Sequence, residues 1–278
     1  MPGQAVRFVD PSGAERIGRL DGETVTDAGP AEPEGFVPTA EAWRELDAAD
    51  GATYAVDELR LLAPVMPRKL IAIGLNYRDH AAESDLAIPE VPVIFAKWPT
   101  AVIGPGDEIV IPREETRPDY EAEMGLVIGR RVKRATGADA LAAIGGITAV
   151  HDVSGRRGQL ETPLRQFTWG KSFDTFAPMG PAITRPDGLD LSNLGIKGIV
   201  SGETLQDSNT SNLIFNPQQL VEYCSMATTL EPGDVIATGT PGGVGDSRKP
   251  PRYLREGDTV EIWVEHVGSL VNPVVNER

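Results

Sequence analysis

"DYEAEMGLVIG", residues Asp119 to Gly129, sets Asp119, Glu121 and Glu123 at alternate positions directly before an apolar run. In a strand, residues i, i+2 and i+4 project from one face, about 7 Å apart per step. The spacing therefore stands three carboxylates side by side. Such a row repels itself, and if buried it must take up protons or find compensating cations. The plain alternative is a solvated edge strand, where charge discourages pairing with other chains. The stretch "GITAVHDVSGRRGQ" weighs against that alternative, because a second apolar strand ends there on Asp152, followed by Arg156, Arg157 and Gln159. Two carboxylates from one strand and one from another form an all-oxygen set suited to Mg²⁺, Mn²⁺ or Ca²⁺. A single cysteine and three histidines leave little with which to bind zinc.

At 278 residues the chain is long enough for one large domain with a small appendage. Its 26 basic against 41 acidic residues give a net charge of −15, which argues against nucleic acid or an anionic membrane as partner. Any anionic substrate must then be met by local cations. The lone Cys224 excludes an intramolecular disulfide and is compatible with a reducing compartment. The start, "MPGQAVRFVDPSG", has neither the basic residues nor the apolar segment of a signal peptide. No segment approaches the roughly 20 apolar residues of a membrane span. A soluble, cytoplasmic protein is expected.

Residues 1–65 read as a small N-terminal domain, with strand-like "AVRFVD" and "ERIGRL", an acidic Pro-rich patch and a helical "TAEAWRELDAAD". The Pro-bearing link "LLAPVMPRK" leads into "LIAIGLNY", and residues 66–278 are mostly β in texture. Short runs such as "GPGDEIVIP", "PGDVIATGT" and "EGDTVEIWVEHVG" are bounded by Gly, Pro and Asp. Helical patterns are few there, the best candidates being "DALAAI" and "NPQQLVEYCSMATTL", which opens on Asn216 as a cap and Pro217 at the first helical position. The class expected is α+β, mostly β, and without strand–helix alternation a doubly wound sheet or eight-fold barrel is not expected.

In "NYRDHAAES", His80 and Glu83 share one face if the segment is helical, so that the carboxylate orients the imidazole as a general base. An ordinary polar pair on a surface helix is the competing reading, and His151 and His266 carry no stronger claim. Lys171 in "TWGKSFDTFAPMGP" sits among aromatic and apolar residues, where desolvation sharpens its charge toward an anion. The stretch "ATGTPGGVGD" lacks the Gly-Lys-Ser/Thr of a phosphate loop. Its glycines allow close backbone approach to a ligand, with Thr240 as donor, or simply form a tight turn.

Taken in order, "IGLNYRDHAAES", "FAKWPTAVIGPGDEIVIP", "DYEAEMGLVIG", "DVSGRRGQ", "WGKSFDTFAPMGP", "NTSNLIF" and "LEPGDVIATGTPGGVG" resemble the fumarylacetoacetate hydrolase superfamily. The resemblance runs from about residue 70 to the C-terminus. "RKPPRYLREGD" is most similar to the branch holding the fumarylacetoacetate hydrolase domain-containing 2 proteins and the diketo-deoxy-sugar-acid hydrolases. It implies a mixed β-sandwich roll carrying the active site, a small N-terminal domain and a homodimer. It also implies metal ligands at Glu121, Glu123 and Asp152, with Asp119 a neighbour. The water-activating pair falls on His80 and Glu83, the groups that hold substrate and stabilise the carbanion on Arg156, Gln159 and Lys171, and the glycine-rich substrate loop on Thr240. The implied reaction is hydrolysis of a carbon–carbon bond in a 2,4-dioxo acid, an acylpyruvate or diketo-deoxy-sugar acid, with Mg²⁺ or Mn²⁺ and, third, Ca²⁺. Oxaloacetate decarboxylation and 2-hydroxymuconate isomerisation use equivalent chemistry and stay open, as does a silent metabolite-binding protein. The segment "HAAESDLAIPEVP" is a candidate lid. Arg157 departs from the acidic residue of smaller acylpyruvate hydrolases; a surface arginine is the simpler reading, and a second substrate carboxylate or the hydroxylated side chain of a sugar acid stays open beside it.

Overall fold

The computed structural model describes residues 2–278. Two sheets face one another. The larger has twelve strands, and along it Ile144–His151 and Val235–Ala237 flank the central strand Ala122–Ile128, which is buried at every position. The second sheet has five strands, among them Gly195–Val200, Thr259–Val264 and Gly268–Asn276. Alternate residues of the central strand, Ala122, Met124, Leu126 and Ile128, meet Ile196, Val260, Ile262 and Leu270 of the second sheet in one core. This is the period-two burial of a sandwich. Most pairs are antiparallel, but Val235–Ala237 runs parallel to Leu70–Gly74, so the sheet is mixed. The molecule is thus an α+β protein in which β predominates.

The opposite face of the central strand turns toward a second cluster with Phe95, Val127, Val150, Met179 and Ala237, and this is the face that carries the acids. Register fixes their meeting. Ala122 pairs with His151, and the Asp152 N–H donates to the Glu121 carbonyl at 3.0 Å, which places Asp152 across from Glu121. Glu123 follows two residues along the same strand face.

One expectation needs correction: Asp119 does not continue that strand. The chain breaks at Tyr120 and Glu121, and Pro118–Asp119 pairs instead with Ser154–Gly155 in a separate two-stranded ladder. The cause is local. Asp119 accepts from the backbone N–H groups of Tyr120, Gly245 and Asp246 at 2.8, 2.7 and 3.0 Å, which turns it away from the row. The row is also no solvated edge, since Asp119, Glu121 and Glu123 are all buried in the interior.

The strands of residues 4–62 join the large sheet through Gln4 and Ala5, which pair with Thr184 and Ile183. A small separate core of Val6, Phe8, Val25 and Ala182 lies beneath them. A division into domains at residues 65 and 66 stays a proposal. The strand Ala177–Thr184, which bridges the N-terminal strands to the site-bearing ones, contains Pro178 and Pro181. Prolines mid-strand conceal it from a propensity reading. Three helices form where composition places them: Ala40–Asp47 capped by Thr39, Ala138–Leu141, and Pro217–Ala227, where Asn216 and Gln219 make a capping box.

Candidate active site

Glu121, Glu123 and Asp152 each offer one carboxylate oxygen, and these atoms lie within 4.8 Å of one another. All three residues are buried. Unscreened, such a cluster is costly, so cations are drawn to it. Lys171 Nζ lies 2.6 Å from Glu121 Oε2 and 2.6 Å from Asp152 Oδ2, and Arg156 Nη2 lies 2.7 Å from Glu121 Oε1 and 2.8 Å from Asp119 Oδ2. Lys97, at the end of strand Val93–Lys97, completes the set, with Nζ 2.5 Å from Asp152 Oδ1 and 3.2 Å from the Val153 carbonyl.

The cations are unevenly shared, and the electrostatics follow. Burial alone would raise the Glu121 carboxyl, but Lys171 and Arg156 hold it far below the usual carboxylate range. Among the described residues Glu123 has no cation in contact and accepts only the Gly239 N–H, at 2.8 Å. Burial and the nearby Asp152 and Glu121 carboxylates therefore push it well above its ordinary value. A divalent cation held by this all-oxygen donor set would place positive charge beside Glu123. The residues fit such an ion. Lys171, which burial alone would lower, is held above its ordinary value by Asp152 and Glu121. Burial lowers Lys97, with Asp152 opposing the shift. His151 points into the core with neither ring nitrogen hydrogen-bonded, and burial and Lys97 push it down to about 3, so it is neutral.

His80 and Glu83 lie on the short helix Arg78–Glu83, with His80 Nδ1 2.7 Å from Glu83 Oε1. A carboxylate only accepts, so Nδ1 carries the proton of the neutral ring and Nε2 is the bare, basic nitrogen. The other oxygen of Glu83 accepts the Gly243 N–H at 2.7 Å. Asp79 ties the same helix down, accepting from the Gly242 N–H at 3.2 Å and the Ser208 hydroxyl at 2.7 Å. The glycine-rich loop thus spends its backbone donors on the chain's own carboxylates, Glu123, Asp79, Glu83 and Asp119. At Gly243, with φ +104°, a Cβ would run into the Leu205 carbonyl, so only glycine fits there.

These groups share one cavity of ≈ 460 Å³. Its lining brings together His80, Glu83, Glu121, Glu123, Arg156, Gln159, Lys171 and Thr240; Asp152 lies beneath, fully buried. Two side chains are less free than their place in the sequence suggests. Arg156 is bound to Asp119, Glu121 and, at 2.9 Å, the Gln159 amide oxygen, while the Thr240 hydroxyl accepts from Gln206 at 2.8 Å. Arg157 does not line the cavity; it is exposed and donates to the Glu114 carbonyl. Lys97 and Asp79, which hold Asp152 and the His80 helix in place, are neighbours of the candidate site that sequence reasoning misses. A lone lysine closing an apolar strand and an acid directly before His80 are the only signals of them. Ser84 and Leu86, which follow the helix, also line the cavity, and Leu86, Ile88 and Val91 beyond it are exposed.

Residues 69–275 match the family described as fumarylacetoacetate (FAA) hydrolase C-terminal. A mitochondrial oxaloacetate tautomerase of Bos taurus, FAHD2A, is 44% identical over 220 residues, 78% of this chain and 70% of the relative. The fumarylacetoacetate hydrolase domain-containing protein 2 homolog of Dictyostelium discoideum is 44% identical over 79% of this chain and 75% of its own. Among solved structures, 5-carboxymethyl-2-hydroxymuconate delta-isomerase of Mycobacterium smegmatis superposes with TM-score 0.82 at 36% identity, covering 99% of each chain. The 2-hydroxyhepta-2,4-diene-1,7-dioate isomerase of Mycobacterium marinum does so with TM-score 0.81 at 32% identity, again over 99% of each. No helix among the described residues is long and apolar enough to cross a membrane. With three quarters of its length matched and its acid cluster, histidine pair and sandwich in place, the chain belongs to the fumarylacetoacetate hydrolase family.

Proposed function

We propose that the protein is a divalent-metal-dependent tautomerase or isomerase that moves a proton at C3 of a 2-oxo acid, in the manner of the oxaloacetate and hydroxymuconate enzymes it resembles. The observation that supports this reading is the meeting of Glu121 and Glu123, with Asp152 directly beneath them, and the His80–Glu83 pair at one cavity. Glu121, Glu123 and Asp152 would hold the cation, with Mg²⁺ or Mn²⁺ preferred over Ca²⁺. When bound, such an ion supplies Lewis-acid polarisation of the 2-oxo group and so acidifies the neighbouring C–H.

The chain's own groups account for the rest. His80 Nε2 takes the C3 proton, and the Glu83 carboxylate on Nδ1 stabilises the imidazolium that results. Return of that proton to oxygen gives the enol, and the reverse passage gives the keto acid; no water is consumed. Lys171 and Arg156, ion-paired with Glu121 on the cavity floor, offset its negative charge and so lessen its repulsion of the enolate that develops there. The apolar lining from Ile73, Phe95 and Phe167 keeps the proton from solvent, and we assign residues 84–92 as the lid that closes over it.

Hydrolysis of a 2,4-dioxo acid, the reaction implied by the sequence resemblance, needs the same base with water in place of the C–H bond. The names of the relatives favour proton transfer over that cleavage. A homodimer belongs to the same proposal, supported by the apolar edge strand Val93–Lys97, where Val93 and Ile94 are exposed. A cytoplasmic location is kept as a proposal.

The test follows the enol absorbance of oxaloacetate on chelator-stripped protein before and after adding Mn²⁺ or Mg²⁺, with CO₂ release and acetylpyruvate cleavage measured alongside. Metal-dependent loss of enol without CO₂ supports the tautomerase. Cleavage of acetylpyruvate alone restores the hydrolase, and CO₂ release matching enol loss makes the enzyme a decarboxylase.

A further inference from the structure

Four acidic side chains line the cavity, and each is already partnered. Glu83 holds His80 and the Gly243 N–H, Glu121 holds Lys171 and Arg156, Glu123 accepts from Gly239, and Asp246 is bound by Arg117 and Tyr253. The cations divide differently. Arg156 and Lys171 are neutralised at the buried floor, whereas Arg165 and Lys249 line the same cavity, are exposed, and have no ion pair among the described residues.

These two cations come from separate loops, one after the helix Arg156–Leu160 and one after the short turn Gly245–Ser247. Arg165 is held there against local preference. Leu164 and Arg165 are consecutive residues with φ of +68° and +50°, a left-handed conformation that non-glycine residues rarely adopt. Leu164 is 97% exposed, so no apolar burial repays the strain. Strain of this kind collects at ligand clamps. A chain with net charge −15 repels a dianion in general, so unneutralised cations around its cavity carry disproportionate weight.

The geometry points to Arg165 and Lys249 as the specificity-determining residues of this site, binding a second carboxylate of the substrate at the cavity mouth while the 2-oxo-acid end lies on the acid floor. The inference deepens the reading above and rests on it for the orientation of the substrate. It also replaces Arg157, which lies off the cavity, as the candidate for a second carboxylate. Arg165 offers a forked donor and Lys249 a mobile point charge, a combination that accepts carboxylates over a range of chain lengths.

Two 2-oxo acids of equal length isolate the effect: 2-oxoglutarate and 2-oxopentanoate share the chelating end and differ only in the distal carboxylate. Calorimetric titration of each into Mn²⁺-loaded full-length protein compares the wild type with Arg165→Gln, Lys249→Gln and the double variant. The wild type should prefer the dianion by about tenfold or more, as charged hydrogen bonds imply, and the double variant by less than about twofold. Each variant's Mn²⁺ affinity serves as the folding control. A preference that survives in the double variant overturns the inference, and so does a wild type that binds both acids equally or neither. Because binding is read without turnover, an inactive wild type that keeps the preference sinks only the assigned reaction.

Discussion

Glu83 holds His80 Nδ1 at 2.7 Å with one carboxylate oxygen and is itself fixed by the Gly243 N–H on the other. The imidazole is therefore oriented from the side opposite its basic nitrogen. Glu83→Gln keeps the size and weakens the acceptor, so turnover should fall roughly 10-fold or more. His80→Ala, which removes the base, should cost about 10²- to 10⁴-fold. Mn²⁺ affinity should be unaltered in both, because neither residue belongs to the acid triad. Steady-state kinetics with a parallel metal titration checks this, and a His80→Ala protein with full turnover would falsify the assignment of the base.

Lys97 is 1% exposed and does not line the cavity, yet it holds one oxygen of Asp152. Its replacement by Met strands part of a buried charge, with Lys171 still in place on the other oxygen. The expected loss is about 3 kcal/mol, toward the low end for breaking a buried pair. Urea unfolding of metal-free protein measures it, and an unchanged midpoint would show that Lys171 alone suffices.

Cys224 is buried in the helix Pro217–Ala227, and burial pushes its thiol up to about 12 from an ordinary 9.0. A group whose folded pKa is raised contributes stability that is complete below its unfolded value and is lost as pH rises toward the folded one. Native stability should thus decline between pH 9.0 and about 12, by up to about 1.4 kcal/mol per pH unit from this thiol. Cys224→Ala should flatten the first part of that decline, seen as urea midpoints at about pH 8 and about pH 10. An equal slope in the variant contradicts the account.

The strand Val93–Lys97 ends the large sheet with Val93 and Ile94 each more than two-fifths exposed and Trp98 beside them. An unprotected apolar edge is a pairing surface. Light scattering should give twice the 29.8 kDa chain mass, and Ile94→Lys should return it to one. A monomeric wild type removes the homodimer.

Much of this site is legible in the sequence, and the reasons are physical. Glu121 and Glu123 stay together because the Glu121 carbonyl still accepts the Asp152 N–H just ahead of the regular strand Ala122–Ile128, and His80 and Glu83 meet because the intervening turn is helical. Asp119 departs from the pattern because backbone donors 126 and 127 residues away capture it, contacts that no local spacing encodes. The strand Ala177–Thr184 is hidden by its own prolines, and Lys97 by an apolar context that gives no hint of Asp152, 55 residues on. Arg165 and Lys249 stand out only once the other cations around the cavity are seen to be paired.

The most direct test of the metal-centred account is a Mn²⁺ titration of chelator-stripped protein, wild type beside Glu123→Gln. Among the described residues Glu123 is the triad member without an ion pair, so its carboxylate is the one whose charge a bound cation would offset most directly. One Mn²⁺ per chain in the wild type, with affinity at least about 100-fold weaker in the variant, is the predicted result. Equal binding by both proteins, or none by either, would contradict it.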